Sequence, residues 1–220
     1  MQIKKNNPSS KKGFTPTPER GVAPQAQHFN APRLVRGFTL IELLVVIAIL
    51  AVLATAVVLV LNPVELIKQA RDSTRISDLA ALNSAIALYL SDYASPAFTA
   101  TGKCTSGTTK PTNMSQACTN STSTLVDGNG WVPINFTSIS SGSPLAKLPM
   151  DPNNGSTNCA GTVNVCSYVF ASNTSEQYEL DANMESTKYG TSGGADVESN
   201  TKDGGDDNDW YEIGSDILSL

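Results

Sequence analysis

The chain has 220 residues, 40% of them hydrophobic and 16% charged, and a net charge of -5, enough for one modest domain plus an anchor. The average hides a division: residues 1–37 hold seven Lys/Arg against Glu19, while residues 38–220 hold eight against nineteen acidic side chains, so a +6 segment precedes a -11 remainder. The acidic body argues against nucleic-acid binding by the folded domain, and a basic start before an apolar segment fits an exported, N-terminally anchored protein.

Residues 1–37 are rich in Pro, Lys and Gln and show neither helical nor strand period, so they read as a targeting leader outside the fold. Residues 43–61 are free of charge, and from Phe38 the apolar run counts 24 residues with Glu42 as its single charge. As a helix it reaches about 36 Å, enough to cross a bilayer core. Fourteen of the nineteen uncharged positions are Leu, Val or Ile. Each favours insertion by roughly 0.3–0.6 kcal/mol against about 3 kcal/mol for one carboxylate, so insertion wins.

The helical period continues past Pro63, which should kink it. Leu66, Ile67, Ala70, Ile76, Leu79, Leu82, Ile86, Leu90 and Tyr93 recur at three- and four-residue spacing, with Lys68, Arg71, Asp72, Arg75 and Asp78 on the other face. The pattern predicts one long helix over about 39–94, stopped by Ser95-Pro96. Residues 97–130 are Thr/Ser/Asn/Gly-rich and read as a long surface loop. Candidate strands follow at 131–139, 165–171, 176–182 and 210–213, with a last piece at 217–220, separated by turn signals such as Asn154-Gly155 and Gly204-Gly205. The expected fold is α+β: a long N-terminal helix whose amphipathic half is covered by a small antiparallel sheet. The segments are 1–37 leader, 38–62 membrane helix, 63–95 amphipathic helix and 96–220 acidic head.

Cys104, Cys118, Cys159 and Cys166 all follow the apolar run, and their even number favours disulfides. Zinc is disfavoured, since no C-x2-C pair exists and the single histidine, His28, is in the leader. Four cysteines allow three pairings that sequence cannot choose between; local pairing, Cys104–Cys118 and Cys159–Cys166, is the expectation. No mature-chain histidine is available for a triad, and no phosphate-cradling or dinucleotide glycine motif occurs, so catalysis finds no support. Sequons at Asn113, Asn120, Asn135, Asn154 and Asn173 are what a Ser/Thr/Asn-rich chain produces by chance. Trp131 and Trp210 read as sheet core or rim.

The stretch Arg36-Gly37-Phe38-Thr39-Leu40-Ile41-Glu42-Leu43-Leu44-Val45-Val46 resembles the class III signal of type IV pilins and type II secretion pseudopilins. The resemblance implies cleavage by a prepilin peptidase between Gly37 and Phe38, N-methylation of Phe38, and an assembly role for Glu42. Gly37 lets a peptidase approach the backbone. Cleavage frees an ammonium at Phe38, and a buried carboxylate is far less costly beside an ammonium than alone. Within one straight helix that pair is awkward, so a neighbouring subunit's amine is the natural partner for Glu42, setting the register of a filament. Lys12-Gly13-Phe14-Thr15-Pro16 imitates the site, but prolines and no apolar segment follow it.

Weaker likenesses extend into the head. Leu148-Pro149-Met150-Asp151-Pro152 resembles a turn of major pseudopilins, and the pattern of Tyr178–Ala182 followed by Asp203-Gly204-Gly205 and Tyr211–Gly214 is similar to theirs too. Such pseudopilins hold calcium in a C-terminal loop. Asp203, Asp206, Asp207 and Asp209 are therefore candidate Ca2+ ligands, with a solvated acidic turn as the equal alternative. The expected function is a structural subunit of a type IV pilus-like filament that needs no cofactor. The alternatives are a type II secretion major pseudopilin and a membrane-tethered binding domain that never polymerises. Expected partners are further copies of the chain, the prepilin peptidase, the inner-membrane assembly machinery and membrane lipid. Expected topology is single-pass in the cytoplasmic membrane, head outside, then an extracellular or periplasmic filament.

Overall fold

A computed structural model describes residues 37–93, 98–159, 165–218 and 220. Among them are two long helices and five short strands, an α+β layout. Helix α1 runs Leu40–Leu61 and α2 runs Pro63–Asp92. The single helix expected over 39–94 is thus two, divided at Asn62, whose φ of 39° and ψ of 73° are left-handed. Pro63 is the cause. At the first position of α2 its missing N–H is harmless, whereas inside an unbroken helix its ring would meet the carbonyl of the preceding turn. Asn is among the few side chains that tolerate the left-handed conformation, and the Asn62 carbonyl accepts the Glu65 N–H at 3.0 Å. The Ser95-Pro96 stop lies outside the described residues.

Strands β1 (Thr101–Cys104), β2 (Cys118–Asn120), β3 (Tyr168–Ser172), β4 (Tyr178–Ala182) and β5 (Tyr211–Gly214) form one sheet in the order β2-β1-β3-β4-β5. The sheet is mixed rather than antiparallel, because β1 and β2 run parallel. Residues 105–117 supply the crossover that a parallel pair needs. The stretch expected as loop therefore contributes two strands. Conversely, 131–139 forms an isolated bridge, Asp127 to Asn135, and a short 3-10 turn at Phe136–Ser138. Pro133 cannot donate to a ladder, and Asn135 Oδ1 accepts the Thr137 N–H at 3.1 Å to start the turn. Its apolar side chains (Trp131, Val132, Ile134 and Phe136) are buried as core plugs. The piece at 217–220 makes no strand among its described residues, although Leu220 is buried.

Alternation divides the sheet into two faces. Tyr168, Phe170, Tyr178, Leu180 and Ala182 pack with Leu79, Leu82, Ala85, Ile86 and Tyr89 of α2. Each fully buried Leu or Ile here contributes about 1.5–3 kcal/mol. On the opposite face Val169 and Ala171 pack with Cys104, Met114, Trp210 and Leu220. Leu66 and Ile67 are exposed, so the apolar period of α2 enters the core only from Leu79 onward. The polar face departs further from expectation. Asp72 and Arg75 are completely buried, Arg75 held by the Asp151 carboxylate of the head and Asp72 by the Glu185 and Ser186 N–H groups.

Candidate functional site

Residues 37–39 lie outside the helix and are exposed, with Phe38 at 79%. A Cβ added to Gly37 would meet nothing within 4 Å. The Gly37–Phe38 bond therefore sits in open, irregular backbone one residue before Thr39 and the start of α1. Thr39 and Glu42 close that start reciprocally. Glu42 Oε2 accepts the Thr39 N–H at 2.9 Å and the Thr39 hydroxyl at 2.7 Å, while Thr39 Oγ1 accepts the Glu42 N–H at 3.3 Å. This is a capping box, which satisfies donors a helix start leaves orphaned and places a carboxylate at the positive end of its dipole. Thr39 was not singled out from sequence, although T-x-x-E directly before an apolar run is the signature that reveals it.

Behind the cap, Leu40–Val58 is a 19-residue stretch of mean hydropathy 2.9 with none of its length buried. It is long and apolar enough to cross a membrane. An apolar groove at its start is lined by Phe38, Ile41, Glu42, Val45 and Val46. Comparison with known families matches residues 32–58 to the prokaryotic N-terminal methylation motif. Residues 32–58 are the class III signal peptide of type IV pilin-like proteins. Neither the curated proteins nor the solved structures contain a match to this chain. The pilin-like signal peptide, together with the one helix among the described residues long and apolar enough to cross a membrane, fits a single-pass membrane-anchored protein and points to a structural subunit rather than an enzyme.

In the head, α2 is tied to the turn at Pro149–Pro152. Arg75 Nε and Nη2 donate to Asp151 Oδ2 and Oδ1 at 2.7 and 2.8 Å, and Nη1 donates to Asp72 Oδ1 at 2.7 Å. Asp72 also accepts the N–H groups of Glu185 and Ser186 at 2.9 and 2.8 Å, and Arg71 Nε reaches Glu185 Oε2 at 2.6 Å. Burial works against the Arg75 charge, but the Asp151 hydrogen bonds and the carboxylates around it prevail and its pKa rises. Disulfides join Cys104 to Cys118 and Cys159 to Cys166, with Cα atoms 5.7 and 5.1 Å apart.

The four aspartates of the C-terminal turn are not brought together as one ligand group. Asp203 accepts the Gly205 and Glu212 N–H groups, Asp207 accepts those of Thr112 and Asp209, and the Asp206 carbonyl accepts from Asn113. The carboxylates that do converge among the described residues are Glu179, Asp181 and Glu212, none of them anticipated from sequence. Burial pushes Glu179 up to about 7 and Glu212 up to about 9, and Asp181 is raised well above the ordinary aspartate value by burial and by both neighbours. The signal was available only in part: Glu179 and Asp181 alternate on a strand, but their pairing with Glu212 needs the register.

A polar cleft beside α2 is lined by Ser186, Thr187, Thr191, Ser192, Glu198 and Asp209, among others. Glu198 is occupied there, since its oxygens accept the Met184 and Thr191 N–H groups at 2.6 and 3.1 Å.

Proposed function

We propose that the chain is a prepilin, cut between Gly37 and Phe38 by a prepilin peptidase, N-methylated at Phe38, and polymerised through α1 into a type IV pilus-like filament. The observation that carries this reading is the coincidence of the signal peptide with an apolar helix none of whose length is covered in the single chain. Such a helix needs lipid before assembly and other copies of itself afterwards. Glu42 then serves twice: it caps α1 through Thr39 in the free subunit, and it receives the Phe38 ammonium of a neighbour in the filament. The head lies outside the cytoplasmic membrane, where disulfides persist.

A type II secretion major pseudopilin is the second reading, favoured by the Pro149–Pro152 turn, whose Asp151 locks the head to α2. N-terminal mass spectrometry of the membrane form and imaging of sheared filaments test the proposal. A mature chain of residues 38–220 found in filaments supports it. A retained leader, or a cut beyond Leu61, overturns it. Surface fibres against periplasmic ones separate pilus from pseudopilus.

A further inference from the structure

The sequence holds two Asn-Gly pairs, Asn129-Gly130 and Asn154-Gly155. Such a pair is open to self-attack, because glycine has no Cβ to keep its backbone nitrogen away from the asparagine side chain. The fold treats the two pairs oppositely. Asn154 is locked: its Oδ1 accepts the Thr105 hydroxyl at 2.7 Å, and its Nδ2 donates to the Thr105 carbonyl at 2.9 Å. The Gly155 N–H in turn donates to the Cys166 carbonyl at 2.9 Å. Both groups that would have to react are occupied.

Asn129 is exposed. Its backbone N–H donates to Asp127 Oδ1 at 3.0 Å. Among the described residues, however, neither its side-chain amide nor the Gly130 N–H has a hydrogen-bond partner. The nitrogen that must give up its proton is held by no acceptor, and the amide it attacks belongs to an exposed residue. Packing demands glycine at 130, since a Cβ there would collide with the Leu125 carbonyl oxygen and with Leu148 Cδ1. The reactive pair is thus built into the fold.

We propose that Asn129 is a site of spontaneous deamidation whose effect reaches the core through Trp131. The Gly130 nitrogen attacks Asn129 Cγ, and the new N–Cγ bond closes a cyclic imide. The Cγ–Nδ2 bond breaks, and Nδ2 takes the Gly130 proton and leaves as ammonia. Water then opens the ring at either carbonyl, giving aspartate or isoaspartate. Isoaspartate routes the main chain through the side-chain carbonyl and so adds a methylene to the backbone. Directly after it, Gly130 is wedged against Leu125 and Leu148. Trp131, 0% exposed, is fixed by its N–H to the Ser123 carbonyl at 2.8 Å and by Nε1 to the Pro149 carbonyl at 2.9 Å. A close-packed interior has no room for an added methylene, so one of these contacts must give way. The site holds whether or not the chain builds a filament.

The test incubates the full chain in detergent micelles in mildly alkaline buffer. Peptides are mapped by mass, and isoaspartate is located by enzymatic methyl transfer. The Asn129 peptide should lose its amide with time and accumulate isoaspartate, while the Asn154 peptide keeps its amide. In denaturant with both disulfides reduced, the two pairs should react at comparable rates, since the fold alone distinguishes them. In a Trp210→Phe background, fluorescence should show Trp131 becoming exposed in step with isoaspartate. Asn129→Gln, whose corresponding ring closes far more slowly, should show neither change. Equal modification of Asn129 and Asn154 in the folded chain, or an intact Asn129 under conditions that deamidate the unfolded chain, overturns the site. A slower Asn154 in denaturant as well would assign the difference to flanking sequence and overturn it equally. Isoaspartate at Asn129 with Trp131 as buried as before overturns the coupling to the core.

Discussion

Arg75 and Asp151, 76 residues apart and both buried, meet through two parallel hydrogen bonds of 2.7 and 2.8 Å. Only a guanidinium can present that fork while a third nitrogen reaches Asp72 one turn back on α2. Arg75→Ala would leave buried carboxylates uncompensated, and it should cost about 3–5 kcal/mol. Arg75→Lys keeps the charge but not the fork and should fall between. Arg71→Ala, whose side chain is partly exposed at 27%, should cost less than Arg75→Ala, because the buried Glu185 keeps Arg75 and Asn153 as partners. Denaturant unfolding of the full chain in micelles, read by the buried Trp131 and Trp210, checks the order. Equal stability of Arg75→Ala and wild type would mean the network does not hold α2 to the head.

Periodicity revealed that α2 is helical and that Leu79, Leu82 and Ile86 face a core. It could not reveal that Asp72 and Arg75 do too, because their burial depends on Asp151 and Glu185, remote in sequence. Polar residues on a helix look solvated until their partners are known. β1 and β2 were hidden similarly: Thr-Gly-Lys-Cys and Cys-Thr-Asn carry no apolar alternation, and their place in the sheet follows from register with β3 and from the Cys104–Cys118 bond. The strands rich in Tyr, Val and Leu were legible, and Trp131–Phe136 misled because buried plugs and strands share a composition. The signal peptide was legible in full, since its information is local.

The two disulfides close loops of different length, 14 and 7 residues in separation. In the chain-entropy account their removal should cost about 3 and about 2 kcal/mol respectively. Paired Cys→Ala variants measured by denaturant unfolding give both values. Alkylation of the mature protein without reductant should label none of the four cysteines. Labelling of all four would place the head in a reducing compartment, against the proposed topology.

Glu198 gives a pH dependence of known sign. Burial raises its pKa to about 8; the hydrogen bonds from Met184 and Thr191 act against this, and Asp72 and Asp209 add repulsion. The folded state thus keeps a proton that the unfolded chain releases near the ordinary glutamate value, about 4.3. Stability must therefore fall as pH rises from about 4 to about 8 and then level off. Glu198→Gln cannot titrate, so its melting temperature should fall less over that window, whatever constant offset the amide introduces. Chelator in every buffer keeps the Glu179–Asp181–Glu212 group equivalent in both proteins. Parallel pH profiles would show that Glu198 is ionised throughout.

The capping box makes the proposed role of Glu42 separable into two parts. Glu42→Ala removes both the cap and the charge, whereas Glu42→Gln keeps a capping-box residue and removes only the charge. Both should insert at least as well as wild type, since a carboxylate in an apolar helix costs up to about 3 kcal/mol on the translocon scale. If Glu42 receives the Phe38 ammonium of a neighbour, both variants should lose filaments, because a broken buried pair costs about 3–5 kcal/mol per contact. If the cap alone matters, Glu42→Gln should assemble normally and Glu42→Ala should lose only the roughly 1 kcal/mol of a missing cap. Thr39→Ala supplies the converse: it removes the hydroxyl from the cap and leaves the charge, so it should assemble with a modest loss. The measurement is paired, membrane-pool abundance and sheared-filament yield, in the native cell that carries the assembly machinery. Normal filaments from Glu42→Gln would refute the charge pairing while leaving the helix cap intact.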